Sequence, residues 1–326
     1  MAGSELLSGS TSERQLRKQS WRRWAVLACL ITLMIVCVFL VRRRYFSDDP
    51  SAVRLPQVNI GHAAEILTTG NKDEAADEGT AQKKTAQHPL VPVLKIARDG
   101  LAGIKANLVD YEATVVKRER VGGNLVGPEK LLLKFRRRKK ENEEIIVPLS
   151  VYLKFEEPQS RSGREVIWVE GKNDDKLIVN EPGISRFLGR LNLPPEGLLA
   201  MQGNRYPIWC IGFEFLIEEL IRFGEADLRH GECEVQISKE VEVEGRLCTL
   251  VKVCHPKKRE YFEFHVAEIF IDNERNLPIR FACYDWPAEE SDEPVLLEEY
   301  TYLDIKLNVG LTDGDFDPDN PAYGYP

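Results

Sequence analysis

The chain has 326 residues and a formal net charge of −8, and 43% of its residues are hydrophobic. Residues 1–47 hold eight Lys/Arg against two Asp/Glu, net +6, which leaves −14 on residues 48–326. So acidic a remainder excludes bulk attraction to nucleic acid or to anionic lipid headgroups.

Near the start, Trp24–Val41 is an uncharged apolar run of 18 residues. At about 1.5 Å per residue it makes roughly 27 Å of helix, close to the thickness of a bilayer core. A membrane span is therefore expected, with residues 1–23 as a basic tail. Arg14, Arg17, Lys18, Arg22 and Arg23 precede the run, and Arg42, Arg43 and Arg44 follow it. The positive-inside rule then places the N-terminus in the cytoplasm and the rest of the chain outside it. A cleaved signal peptide has a shorter apolar core and a small-residue cleavage site, whereas Arg42-Arg43-Arg44-Tyr45-Phe46 stands where that site would fall.

Residues 42–88 form the next segment. From Ser47 to Gln87 the composition is polar and poor in aromatics, which predicts a flexible linker with a root-mean-square reach of roughly 35 Å. At Pro89 the pattern changes. Leu90, Val91, Val93, Leu94, Ile96, Ala97, Leu101, Ile104 and Leu108 keep helical spacing and predict an amphipathic helix ending near Asn107.

A two-residue period follows. Tyr111-Ala113-Val115, a Gly122-Gly123-Asn124 turn and Leu131-Leu133-Phe135 predict a hairpin. Val151-Leu153-Phe155, Glu165–Val169 and a short run at Lys176–Val179 extend it as an antiparallel meander, because parallel strands would need long crossovers. After Leu193-Pro194-Pro195-Glu196-Gly197, the residues Phe213, Leu216, Ile217, Leu220 and Ile221 mark a second amphipathic helix. Five strands are then expected between Glu232 and Leu307, with a tight Glu244-Gly245 turn between the first two. The order of elements describes one α+β domain over 89–326, a curved antiparallel sheet with helices packed on its concave face.

Segments spread through this domain resemble an uncharacterised family of bacterial membrane-anchored envelope proteins. They include Tyr111-Glu112-Ala113 with Lys117-Arg118-Glu119-Arg120, Gly163-Arg164-Glu165-Val166, Glu170-Gly171-Lys172-Asn173-Asp174, Gly203-Asn204-Arg205-Tyr206-Pro207-Ile208, Leu277-Pro278-Ile279-Arg280, Tyr284-Asp285-Trp286-Pro287 and Glu298-Glu299-Tyr300-Thr301-Tyr302. More distantly, the element order and the Ile271–Arg280 segment look like the LolA/LolB-like lipoprotein-localisation superfamily. That resemblance implies an incomplete barrel holding acyl chains, a place in the inner membrane with the domain in the periplasm, and lipid or a lipidated protein as partner. Fold-level analogy alone links that activity to this chain.

In such a half-barrel the concave face would carry Tyr111, Val115, Leu133, Phe135, Val151, Leu153, Phe155 and Trp168, and these eight are the candidate ligand-lining residues. The same residues serve as ordinary core under the helices, because alternating apolar strands need covering with or without a ligand.

Chemistry-bearing motifs are sparse. The chain holds no Gly-x-Ser-x-Gly, Gly-x-Gly-x-x-Gly, Gly-x-x-x-x-Gly-Lys or His-Glu-x-x-His sequence, which lowers the expectation of an enzyme or a bound cofactor. Glu298 and Glu299 are adjacent on a strand, so they face opposite ways and do not jointly flank a substrate. A four-residue loop from Glu242 would set Cys233 opposite Cys254, yet buried free thiols are the preferred reading. Cys233, Cys254, His255 and His265 lack paired metal-ligand spacing. Asp313-Gly314-Asp315-Phe316-Asp317-Pro318-Asp319 fails as a calcium loop because proline stands at the glycine position; a turn-rich C-terminus docked on the sheet is expected instead. The resulting expectation is a non-catalytic lipid or lipoprotein binder, with an envelope protein-interaction or sensor module of packed core as the alternative.

Overall fold

Helix α1 (Leu90–Asn107) starts directly after Pro89, where a fixed φ suits a helix and the missing N–H is no loss. It ends at Leu108, which turns to extended backbone while its N–H still reaches the Ile104 carbonyl at 3.0 Å. The computed structural model describes residues 53–60, 66–69, 88–183, 189–289 and 292–326. The span expected at Trp24–Val41 lies outside these residues. Among the described residues, no helix is long and apolar enough to cross a membrane.

Strands β3 (Asp110–Val121) and β4 (Asn124–Arg136) form the expected hairpin. Gly122 and Gly123 connect them with φ of +57° and +84°, and a two-residue turn that follows strand twist needs positive φ at both positions. The run continues through β7 (Ser150–Glu157), β8 (Glu165–Val169), β9 (Leu177–Asn180) and β10 (Leu191–Leu193). A separate small hairpin, β5 (Lys139–Glu141) with β6 (Glu144–Val147), interrupts it. Helix α2 (Phe213–Asp227) follows, and then the five expected strands: β11 (Glu234–Val243), β12 (Arg246–Cys254), β13 (Val266–Asp272), β14 (Leu277–Asp285) and β15 (Val295–Leu307).

All pairings are antiparallel, and β15 lies beside β3, joining the C-terminal strands to the first hairpin in one large sheet. The sheet is not closed. Its far strand β10 is at one edge, and at the other β11 carries two short strands, β1 (Val58–Asn59) and β2 (Ile66–Thr69). Both short strands come from the stretch whose composition predicts a flexible linker. Backbone pairing with β11, together with burial of Val53, brings part of that stretch onto the sheet, and composition does not register main-chain hydrogen bonds.

Helices α1 and α2 pack on each other and on the sheet face that carries Tyr111, Tyr300 and Ile269. Their contact is close because residue 224 is glycine: a Cβ there would lie 2.9 Å from Leu94 Cδ2. The opposite face is covered around β7 and β8 by the C-terminal residues, where Phe316 and Tyr325 bury against Tyr152, Ile167 and Val169. Asp313 and Asp315 engage Arg136 and Lys134, each at 2.7 Å, and Thr312 and Asp315 cap each other in a reciprocal box. The acidic tail is thus a docked, turn-rich C-terminus, as its sequence suggests.

Candidate functional site

The eight residues expected to line a hollow share one sheet face. The register sets Tyr111 beside Phe135, Phe135 beside Val151 and Val151 beside Trp168, a row across four strands. The space above this row is filled. Phe213 at the start of α2 stacks on Tyr111 with ring centroids 4.8 Å apart, and Trp209 lies 5.2 Å from Trp168. The ring of Phe135 abuts Gly212 so closely that any Cβ there would overlap it. Tyr111, Val115, Leu133, Phe135, Val151, Leu153, Phe155 and Trp168 are all buried in one protein core. Period two identifies a covered face, and here Phe213 and Trp209 lie over it.

Open apolar space lies elsewhere, under α1 and α2 over β12, β13 and the start of β14. The sheet wall is an alternating set in register: Val251 opposite Ile269, Val253 opposite Ala267, and Ile271 opposite Pro278. The helical wall includes Leu90, Leu94, Ala97 and Gly100 from α1, and Ile217 and Phe223 from α2. Gly100 is buried, yet a Cβ on it would meet nothing within 4 Å. The cavity volume is about 80 Å³. At 10–15 Å³ for the smallest water-holding cavity, this is space for roughly half a dozen water- or methylene-sized groups.

From Ala267 to Ile271 the wall runs about 13 Å at the rise of a strand, with Phe264 and Pro278 continuing it at either end. One leaflet of a bilayer core is about 15 Å deep.

One end of the cleft is polar. Asp227, the last residue of α2, lines it, with Oδ2 3.3 Å from Nε2 of His255. Nδ1–H of His255 donates to the Phe264 carbonyl at 3.0 Å, and the ring stacks on Phe262 with centroids 3.9 Å apart. His265 and Trp286 bond the backbone carbonyl of His255, and His88 bonds that of His230, whose ring stacks on Tyr261. The four described histidines thus gather in one corner. Sequence spacing did not show this, because the segments meet only through the pairing of β12 with β13 and the end of α2.

Cys233 and Cys254 are not brought together at this corner. The two-residue Glu244-Gly245 turn and a bulge after Ser238 set Glu234, and not Cys233, opposite Cys254. A one-residue slip puts the two thiols on opposite faces of the sheet, and both are free. Among the described residues no group of three His, Cys, Asp or Glu side chains is poised around a common ion position. Burial pushes the Cys233 thiol up to about 12, so it stays protonated and a poor nucleophile.

A second polar cluster lies where β3, β4 and β15 meet the Met201–Tyr206 loop. Lys117 contacts Glu119 at 2.9 Å, Glu129 at 3.4 Å and Asn204 at 2.7 Å; Arg161 pairs with Glu129, and Tyr300 bonds Glu119. Tyr206 O–H donates to Glu298 at 3.0 Å, and Arg205 lies 3.2 Å from the same carboxylate. Several of the sequence segments that carry the family resemblance converge here. Each charge is matched by a partner, so the cluster reads as a pin that fixes the loop to the sheet.

Two helices over an apolar cleft on an unclosed antiparallel sheet define the architecture. The chain belongs to the family described as protein of unknown function (DUF1571), whose model matches residues 108–325, and this bears out the resemblance over the folded domain. No curated protein matches the chain. Among solved structures it is similar to a DUF1329 family protein from Desulfovibrio piger, at 14% identity over 70% of this chain and 97% of that one, with a TM-score of 0.35. It is also similar to a LolA superfamily protein from Nitrosomonas europaea, at 12% identity over 68% of this chain and 97% of that one, TM-score 0.28. A third is the MucA/MucB complex of Pseudomonas aeruginosa, at 13% identity over 69% of this chain and 60% of that one, TM-score 0.39. Likenesses at these scores carry no argument for a ligand or a partner.

Proposed function

We propose that this protein is a non-catalytic binder that shelters an apolar chain in the cleft between α1, α2 and β12–β14. The reading includes an anchor at Trp24–Val41, a cytoplasmic N-terminus and a domain held outside the inner membrane, where acyl chains are at hand. The observation that carries it is the buried Gly100 beside open apolar space, a place where almost any other side chain would have filled the cleft. About six methylenes at ~0.8 kcal/mol each contribute roughly 5 kcal/mol before the costs of binding. That corresponds to a few tenths of a millimolar at best, so the cleft suits weak, reversible holding.

The test is a titration of full-length protein in phosphatidylcholine nanodiscs with a fluorescent alkyl-chain probe. Saturable binding that is lost in Gly100→Leu is expected; equal signals from both proteins would remove the proposal.

An exposed pair favours a second reading. Leu198 is 93% and Leu199 66% exposed on the loop after Gly197, and the polar cluster fixes the following Asn204–Tyr206 segment to the sheet. A fixed apolar tip suits docking into another envelope protein. In that reading Leu198→Ser with Leu199→Ser abolishes partner binding and leaves probe binding unchanged.

A further inference from the structure

The cleft is lined by apolar side chains throughout except at its two ends. Asn276, in the turn between β13 and β14, stands at one, and Asp227 at the other. Asp227 is the single charged residue on the lining. It is 5% exposed, and His255 behind it is fully buried.

The surroundings of Asp227 hold it in place. His255 is fixed by its bond to the Phe264 carbonyl, by stacking against Phe262 and by a tilted contact with the Phe264 ring. Nε2 of His255 approaches Asp227 Oδ2 at 3.3 Å without the alignment of a hydrogen bond. No other described side chain or backbone N–H donates to the Asp227 carboxylate. A nearly buried carboxylate at the end of an apolar channel therefore retains acceptor capacity that the protein does not use.

We infer that Asp227 receives the polar end of the bound molecule, and that the ligand is an amphiphile whose head donates hydrogen bonds, as an amine, a hydroxyl or an amide does. An ionised carboxylate accepts and never donates. A fatty-acid head would set acceptor against acceptor, with no hydrogen bond to offset the water that both groups give up. An ammonium adds charge complementarity to the hydrogen bond. This inference rests on the cleft being the binding site, and it names what that site selects.

Isothermal titration of decylamine, decanol and decanoate into full-length protein in phosphatidylcholine nanodiscs tests it, with the heats from Gly100→Leu discs subtracted. Decylamine is expected to bind tightest, decanol next, and decanoate about tenfold or more weaker than decylamine. Asp227→Asn, which keeps the shape, should bring amine and carboxylate within about twofold of one another. Equal affinities for the three in the wild type, or an unchanged preference in folded Asp227→Asn, would overturn the role of Asp227 while the cleft stands. Absence of any signal above the Gly100→Leu control would remove both. If Asp227→Asn does not fold, the wild-type series decides alone.

Discussion

Glu298 and Glu299 are adjacent on β15, yet their carboxylates lie on opposite faces of the sheet. Glu298 meets Tyr206 and Arg205 under the Met201–Tyr206 loop, whereas Glu299 is held by Arg118 at 2.9 Å and Arg280 at 2.7 Å. The separation gives the two groups different consequences.

Burial raises Glu298 from 4.5 to about 7, against the pull of Arg205 and the Tyr206 hydrogen bond, with Glu119 adding to the rise. Below about pH 4.5 the folded and unfolded chains both carry this proton, so it has no effect on stability. Between about pH 4.5 and 7 the unfolded chain releases it first, and stability falls by up to about 3 kcal/mol as pH rises. Glu298→Gln should flatten that decline. Urea midpoints of full-length protein at about pH 5 and pH 8 measure it.

Lys117 is flanked by the carboxylates of Glu119 and Glu129, and all three are buried. Lys117→Met removes the shared cation and leaves negative charges out of water, so a loss of about 3–5 kcal/mol is expected. The double change that also replaces Glu119 with Gln should recover part of it, because Glu129 then still faces Arg161. Denaturation midpoints of the two variants settle the comparison.

Gly212 caps the start of α2 with extended backbone, directly against the Phe135 ring. Gly212→Ala should cost about 1–3 kcal/mol by overpacking. Pairing it with Phe135→Leu should return part of that loss, a coupling that a double-mutant cycle reads directly.

Gly100 presents the opposite case, since added atoms meet open space. Gly100→Ala should raise stability by up to about 1 kcal/mol, the helix-propensity difference, with no packing penalty. A thermal melt shows whether it does.

The strands were legible because apolar alternation is strong in segments such as Tyr111–Val115 and Leu131–Phe135, and both main helices followed from three- and four-residue spacing. The site was not. Phe135 and Ile269 both look like covered positions in the sequence, and what lies above each depends on where Gly212 and Gly100 fall against them in three dimensions. The Asp227–His255 contact was equally hidden, because it joins the end of a helix to the end of a strand. Likewise, one bulge after Ser238 was enough to move Cys233 to the other face from Cys254.

Photo-crosslinking with a diazirine-bearing alkylamine in nanodiscs, mapped by peptide mass spectrometry, tests the cleft most directly. Labels should fall on α1 around Leu94–Gly100 and on β13 around Ala267–Ile271, and vanish in Gly100→Leu. Labelling confined to Leu198–Leu199, or spread evenly over the domain, would contradict an apolar chain held beneath α1.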